Sequence, residues 1–435
     1  MSITRQDFPA DFVFGAATSS YQIEGQQHGG AGSCHWDSFA ATPGNILDGS
    51  DGARACDHYQ RYPQDLELVS AAGFDAYRFS TSWARVMPEG KGAPNQAGLD
   101  FYDRLVDEIC AKGLQPWWTL YHWELPSAIA DTGGWSNRDT AFRLADFAAL
   151  MAESIGDRVT SAAPINEPWC VAWLSHFLGH HAPGLRDIRA ASRAMHHVLL
   201  AHGTVMQAWR SSGLNNLGAV LNVEKALPAT PSDTLAALEY DGIYNRWFAE
   251  AIANGEYPSV VLQGLEEHMP TGWTDDMSLI SQPLDWLGVN FYTGKRLQRG
   301  PSGGFGDVVE VSGDLPVTSM NWPINANWLR EWLLSLNQTF GGKLPVYVTE
   351  NGMASGSGLQ DSDRIAYLEQ HLLAAKQAME DGVDLRGYFV WSLLDNYEWA
   401  YGYGERFGLV HVDFDSMQRT PKDSYRWIQQ MLTSR

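Results

Sequence analysis

The segment Phe74-Asp75-Ala76-Tyr77-Arg78-Phe79-Ser80 decides the fold. It is a short, nearly continuous apolar run, with a helical pattern before it (Tyr62–Ala72) and another after it (Gly98–Lys112). Parallel strands buried on both faces read this way. Working outward, seven further runs have the same character: Phe12–Thr18, Leu114–Leu120, Val159–Asn166, Leu217–Val223, Leu284–Asn290, Val346–Glu350 and Arg386–Ser392. Helical patterns fall between and after them at Arg138–Ile155, Arg189–Ser211, Leu235–Asn254, Ala326–Gln338, Ser362–Glu380 and near Asp423–Leu432. Eight strands, each followed by helix, predict an α/β fold: a single (β/α)8 TIM barrel with its active site at the C-terminal ends of the strands. No linker marks a second domain, so residues 1–435 are expected to form one. The Gly-rich, polar stretch Arg299–Ser319 reads as a long surface loop after the sixth strand.

Composition narrows the function classes. The formal net charge is −21, which repels nucleic acid and anionic membranes alike. Cys34, Cys56, Cys110 and Cys170 form no CxxC pair, so zinc and redox signatures are missing and free thiols in a reducing compartment are expected. The opening Met-Ser-Ile-Thr-Arg-Gln-Asp-Phe-Pro lacks the apolar stretch of a secretory signal, and no apolar run reaches about 18 residues. A cytoplasmic protein is expected. The 18 Trp residues suit a core, and they also suit sugar binding, where the C–H face of a pyranose stacks on an indole.

The expected strand ends carry unusual polar residues: Arg78, His122-Trp123, Asn166-Glu167, Asn290 with Tyr292, Glu350-Asn351, and Trp391. Glu167 closes strand four and Glu350 closes strand seven, so a barrel brings them to one rim. Two carboxyl groups flanking a glycosidic bond are what its cleavage requires, about 5–5.5 Å apart when one of them is the nucleophile. Repulsion from an ionised Glu350 is expected to raise the Glu167 pKa and keep its proton available. Arg78 and the Tyr292 hydroxyl are placed to hold Glu350 ionised and oriented. Singly, each residue has a plainer reading: a solvated glutamate, a local ion pair, a core histidine, packing tryptophans.

Together they resemble glycoside hydrolase family 1, the β-glucosidase family, from Phe12 to about Trp427. The motifs, in order, are the run from Phe12 to Gly25, then Tyr77-Arg78-Phe79-Ser80-Thr81-Ser82-Trp83, Thr119-Leu120-Tyr121-His122-Trp123 and Asn166-Glu167-Pro168. Asn290-Phe291-Tyr292, Val348-Thr349-Glu350-Asn351-Gly352, the run from Trp391 to Trp399, and Arg406-Phe407-Gly408-Leu409 complete the set. The resemblance implies Glu350 as nucleophile and Glu167 as acid/base. It implies a sugar held by Gln22, His122, Trp123, Asn166, Glu398 and Trp399, with Trp391 as stacking floor and Phe407 as wall. On the aglycone side and at the entrance it implies Trp169, Leu174 and Trp322; Trp169 and Leu174 match positions that narrow the entrance in glucose-tolerant members. No metal or organic cofactor is implied. The partner is a small β-glucoside or disaccharide, and the oligomeric state is left open.

Departures from the family pattern are Ala162 and Pro164 ahead of Asn166, Glu124 where Asp is usual, and Asn321-Trp322-Pro323 for Gly-Trp-Glu. Pro164 is expected to cost an inner strand a ladder hydrogen bond. Glu398-Trp399 replaces the Ser-Lys-Tyr trio of phospho-glycosidases, which disfavours a 6-phospho-β-glucosidase. A transglycosylase and a non-catalytic sugar-binding barrel are the other readings; two mutually repelling carboxyls argue against the latter.

Overall fold

The computed structural model describes residues 3–356 and 358–434, so the reading of Met1 and Ser2 at the N-terminus lies outside the described residues. Eight strands make the main ring: β1 (Val13–Ala17), β2 (Ala76–Ser80), β3 (Gln115–Tyr121), β4 (Ser161–Ile165), β5 (Gly218–Pro228), β6 (Trp286–Arg299), β8 (Val346–Asn351) and β9 (Leu385–Trp391). They run in the order β4-β3-β2-β1-β9-β8-β6-β5, and every pairing among them is parallel. Helices such as His58–Ala71, Gln96–Ala111, Asp139–Ile155, Ile188–Ser211, Ala326–Thr339 and Ser362–Glu380 connect them. The architecture is that of a (β/α)8 barrel. Among the described residues, no helix is long and apolar enough to cross a membrane.

The ring is weakest between β4 and β5. They meet only at the bridges Ala162↔Leu217 and Asn166↔Val220. Pro164 lies between them and has no N–H to give. Ala162 donates its N–H to Asn216 O, and the next N–H given across this seam from the β4 side is that of Glu167, to Val220 O. The missing bond expected from Pro164 is therefore real, and it sits directly before the Asn166-Glu167 pair.

Alternate residues of each strand point inward. Trp117 from β3 touches Trp286, Tyr347 and Phe389 at ring-centroid distances of 5.2, 4.7 and 4.9 Å. None of those rings is on a neighbouring strand, so they plug the barrel interior. Gly15 faces this plug; a Cβ there would fall 2.2 Å from the Phe389 ring. One inward step further along each strand, the apolar floor gives way to polar or functional groups: Ala76 to Arg78, Val220 to Asn222, Gly288 to Asn290, Phe389 to Trp391.

Two expectations need correction. Arg299–Ser319 is not wholly irregular: β6 continues to Arg299, and β7 (Val308–Glu310) pairs antiparallel with its end. Twist and extension of β6 past the barrel let its free edge recruit this short strand. The helix expected over Leu235–Asn254 is split by a π turn at Gly242–Arg246, between Thr234–Asp241 and Trp247–Asn254. The extra residue aims Asn245 at β5, where it accepts from Glu224 N and donates to Glu224 O. A small antiparallel pair, β10 (Val410–Val412) and β11 (Arg419–Pro421), was not foreseen; its strands are too short to show a period.

Candidate active site

Four dipeptides supply the rim, and in each both members reach the cavity or the hydrogen-bonded groups directly behind it. A plain strand cannot do this, because successive side chains point to opposite faces. Three of the four solve it with a left-handed second residue: Trp123 (φ 75°), Glu167 (φ 51°) and Trp399 (φ 53°). Such a conformation costs a non-glycine residue about 1–3 kcal/mol, and it gathers at functional sites. The fourth pair, Thr349-Glu350, uses a register shift: β8 slips against β6 at Val289/Asn290 and against β9 between Val348 and Asn351. A bulge of this kind re-aims a side chain. Thr349 reaches Asn290 and Glu350 reaches Arg78, both inside the ring. Gly352 follows because a Cβ there would sit 1.9 Å from the Trp391 carbonyl oxygen.

These side chains form one hydrogen-bonded chain between the two glutamates. Arg78 Nη1 donates to Glu350 Oε1 at 2.6 Å, and Arg78 Nη2 donates to Asn166 Oδ1 at 2.6 Å. Asn290 Nδ2 donates to the same Asn166 Oδ1 at 3.0 Å and to Glu167 Oε1 at 2.7 Å. Thr349 donates to Asn290 Oδ1 at 2.7 Å, which fixes the amide's direction. Tyr292 donates to Glu350 Oε2 at 2.7 Å. Two donors on Asn166 Oδ1 leave its amide nitrogen to face His122 Nε2 at 3.3 Å. That ring nitrogen must then accept, so the His122 proton is on Nδ1, which has no partner among the described residues. Burial and nearby Arg78 hold the ring pKa well below the ordinary value, so the imidazole is neutral. Nδ1–H is thus a preset donor.

The charges are set chiefly by burial. Glu167 is pushed up to about 8, first by desolvation and then by Glu350. The expected repulsion is present, but removal from water is the larger cause. Glu350 is also raised by burial, while Arg78, Tyr292 and Asn290 pull it back down. Glu398 is raised well above the carboxylate range by burial and by Glu350, Glu167 and Glu405. When protonated, it can donate to a hydroxyl as well as accept from one.

A cavity of about 580 Å³ opens over this set. His122, Trp123, Glu167, Asn290, Tyr292, Glu350, Trp391, Glu398, Trp399 and Phe407 line it, and so do Trp169, Leu174 and Trp322. The Tyr292, Trp322 and Phe407 rings meet edge to face or tilted at 5.8–6.1 Å and make one wall. Trp169 leans on Tyr244 at 4.1 Å near the opening. Arg78, Asn166 and Gln22 do not line the cavity; each is buried behind it. Gln22 Nε2 donates to Asn396 Oδ1 and to Tyr397 O, both at 2.9 Å, and so steadies the segment that carries Glu398.

Sequence reading missed Cys170, Asn222, Glu224, Tyr244 and Lys295, all of which line the cavity. Asn222 carried a usable signal, since it ends the inward-facing alternation of β5 as Asn290 does for β6. Tyr244 carried none, because a π turn placed it.

A parallel barrel whose mouth holds two buried, mutually influencing glutamates beneath an aromatic-walled cavity defines a glycoside hydrolase. The family model described as glycosyl hydrolase family 1 matches residues 4–435. β-Glucosidase A of Thermotoga maritima is 42% identical over 97% of this chain and 96% of its own. The bifunctional β-D-glucosidase/β-D-fucosidase of Bifidobacterium breve is 41% identical over 98% of each chain. The solved family 1 β-glucosidase from Thermotoga maritima superposes with a TM-score of 0.94 at 41% identity, covering 98% of both chains. The chain belongs to glycosyl hydrolase family 1.

Proposed function

We propose that this protein is a retaining β-glycosidase that releases terminal, non-reducing β-D-glucosyl residues from cellobiose, short cello-oligosaccharides and aryl β-glucosides. The observation that carries the reading is the Glu167–Asn290–Asn166–Arg78–Glu350 chain of hydrogen bonds. It joins two carboxyls on opposite strands and gives them opposite tasks. Glu350 has an arginine and a phenol donating to it, which favours an anion. At Glu167 the single amide donor, Asn290, is outweighed by burial and by Glu350, and a retained proton is favoured. In retaining enzymes such carboxyls stand about 5–5.5 Å apart.

The reaction follows from that division. A Glu350 oxygen attacks the anomeric carbon while Glu167 gives its proton to the departing glycosidic oxygen. The bond to the leaving group breaks and a glycosyl ester of Glu350 forms. Esterification removes the Glu350 charge, so the Glu167 pKa falls, and Glu167 can take a proton from water. That water attacks the anomeric carbon, and Glu350 leaves as a carboxylate. His122 Nδ1–H and Glu398 serve the sugar hydroxyls over Trp391, with Asn166, Gln22 and Arg78 acting from behind. Trp169, Leu174 and Trp322 border the aglycone, and a narrow collar of Trp169 and Leu174 would weaken glucose binding at the entrance. β-Fucosides and β-galactosides are proposed as further substrates, the former in line with the bifunctional name of one relative. Residues 1–435 act as one catalytic domain, in the cytoplasm, on sugars derived from cellulose.

The test is hydrolysis of a panel of chromogenic β-glucoside, β-galactoside, β-fucoside, α-glucoside and 6-phospho-β-glucoside, with the first-formed anomer read by proton NMR. β-Glucose appearing first from the β-glucoside is expected. First-formed α-glucose, or silence on every neutral β-glycoside from folded protein, would overturn the reading.

A further inference from the structure

Glu167 has a second neighbour that the mechanism above does not use. Asn290 occupies Oε1; the other oxygen, Oε2, accepts from the Cys170 thiol at 3.1 Å. Cys170 opens the π turn Cys170–Leu174, three residues past Glu167, and its N–H donates to Glu167 O at 3.0 Å. The sulfur is itself held: Asn222 Nδ2 reaches Sγ at 3.8 Å, within range for a sulfur acceptor. A thiol has one proton. With Asn222 donating to the sulfur, that proton is left to point at Glu167. All three residues are buried against the same cavity.

We propose that Cys170, turned by Asn222, is a positioning residue that donates its thiol proton to Glu167 and favours the carboxylate formed as Glu167 protonates the leaving group. The proposal rests on the glycosidase reading and adds to it a residue that tunes the acid. The bond is weak while Glu167 is a neutral acid and strengthens as negative charge develops on Oε2, so it helps the transition state more than the ground state. Burial and the carboxyls of Glu167, Glu350 and Glu224 keep the thiol protonated, so toward Glu167 it acts as donor while its sulfur accepts from Asn222. Glu167 itself is faced by Glu350 and Glu398, by Arg78, and by the Tyr292 and Tyr244 phenols. None of these reaches Oε2 in the way Cys170 does.

The test compares the parent enzyme with Cys170→Ala, Cys170→Ser and Asn222→Ala on two substrates: a methyl or octyl β-glucoside, whose departing oxygen needs a proton, and 2,4-dinitrophenyl β-glucoside, whose does not. In Cys170→Ala the basic limb of the kcat/KM profile should rise by about half a pH unit, equivalent to a roughly threefold change in acid strength. The alkyl glucoside should lose about threefold to tenfold more activity than the dinitrophenyl glucoside. Cys170→Ser keeps a donor and should fall between parent and Ala. Asn222→Ala should move the limb the same way by less, and it answers the question if Cys170→Ala does not fold. An unmoved limb, or equal losses on both substrates in variants that melt like the parent, would overturn the Cys170 assignment alone. A parent inert on both glucosides would overturn it together with the glycosidase reading.

Discussion

Arg78 Nη1 lies 2.6 Å from Glu350 Oε1, and each side chain is at most 4% exposed. The two come from β2 and β8, on different sides of β1 and β9 in the ring, so the pair spans the barrel mouth. Removing one partner of a buried pair leaves the other charge uncompensated. Arg78→Ala should raise the Glu350 pKa further, move the acidic limb of the rate profile upward, and lower kcat/KM by about 100-fold or more. A pH–rate profile of the variant on an aryl β-glucoside checks both effects.

Glu350, the proposed nucleophile, gives the sharpest loss. Glu350→Ala should lower kcat by more than about 10⁴-fold, since the carboxylate proposed to form the ester is gone. Azide added to this variant should enter the vacated space and attack from the nucleophile's side. The product expected by NMR is therefore the α-glucosyl azide. A β-azide would place the attacking group elsewhere.

Activity should fade on the basic side as pH rises through about 8, where Glu167 loses the proton it must give. The sign follows from the proposed acid role, in which the protonated form is active in the first step. Replacing Glu350 by Gln removes a repelling charge and should lower the Glu167 pKa. A ¹³C-carboxyl NMR titration of Glu167 in the parent and in the Glu350→Gln variant reads this directly.

Glu124 offers a stability test. It is fully buried beside Glu24, accepts from Ser20, and is held at a pKa of about 8, mainly by burial. In the unfolded chain an ordinary glutamate titrates near 4.5. Between these values the folded state keeps a proton that the unfolded state releases, so rising pH favours unfolding. Glu124→Gln removes this loss. Its stability should fall less steeply from pH 5 to 8, with a gain over the parent of order 1 kcal/mol or more at pH 8. Thermal melts across that range provide the measurement.

Gly352 tests the packing of the floor. Its missing Cβ is what lets the Trp391 carbonyl approach. Gly352→Ala should destabilise by about 3 kcal/mol or more, because the clash is with backbone that cannot rotate away. Any folded fraction should bind sugar poorly, since Trp391 must shift. Melting temperature and KM together separate the two effects.

The sequence by itself determined the ring of strands. Nearly continuous apolar runs such as Phe74–Ser80, alternating with amphipathic helices, are buried on both faces when one face packs on an outer layer of helices and the other on the barrel interior. It also placed Arg78, Glu167, Asn290 and Glu350 at strand ends, and Pro164 marked the seam where the ladder fails. What it could not determine was the aim of consecutive side chains. An ideal strand would turn Glu350 away from the site if Thr349 faced it, and only the slip of β8 against both neighbours reverses that. Trp123, Glu167 and Trp399 are turned inward by left-handed backbones that no local preference favours, held there by contacts from distant strands. The same holds for charge. Residue type makes Glu167 and Glu350 equal; burial and the neighbouring Glu350 raise the Glu167 pKa while Arg78 and Tyr292 pull Glu350 back down, and the proposed acid and nucleophile roles rest on that difference.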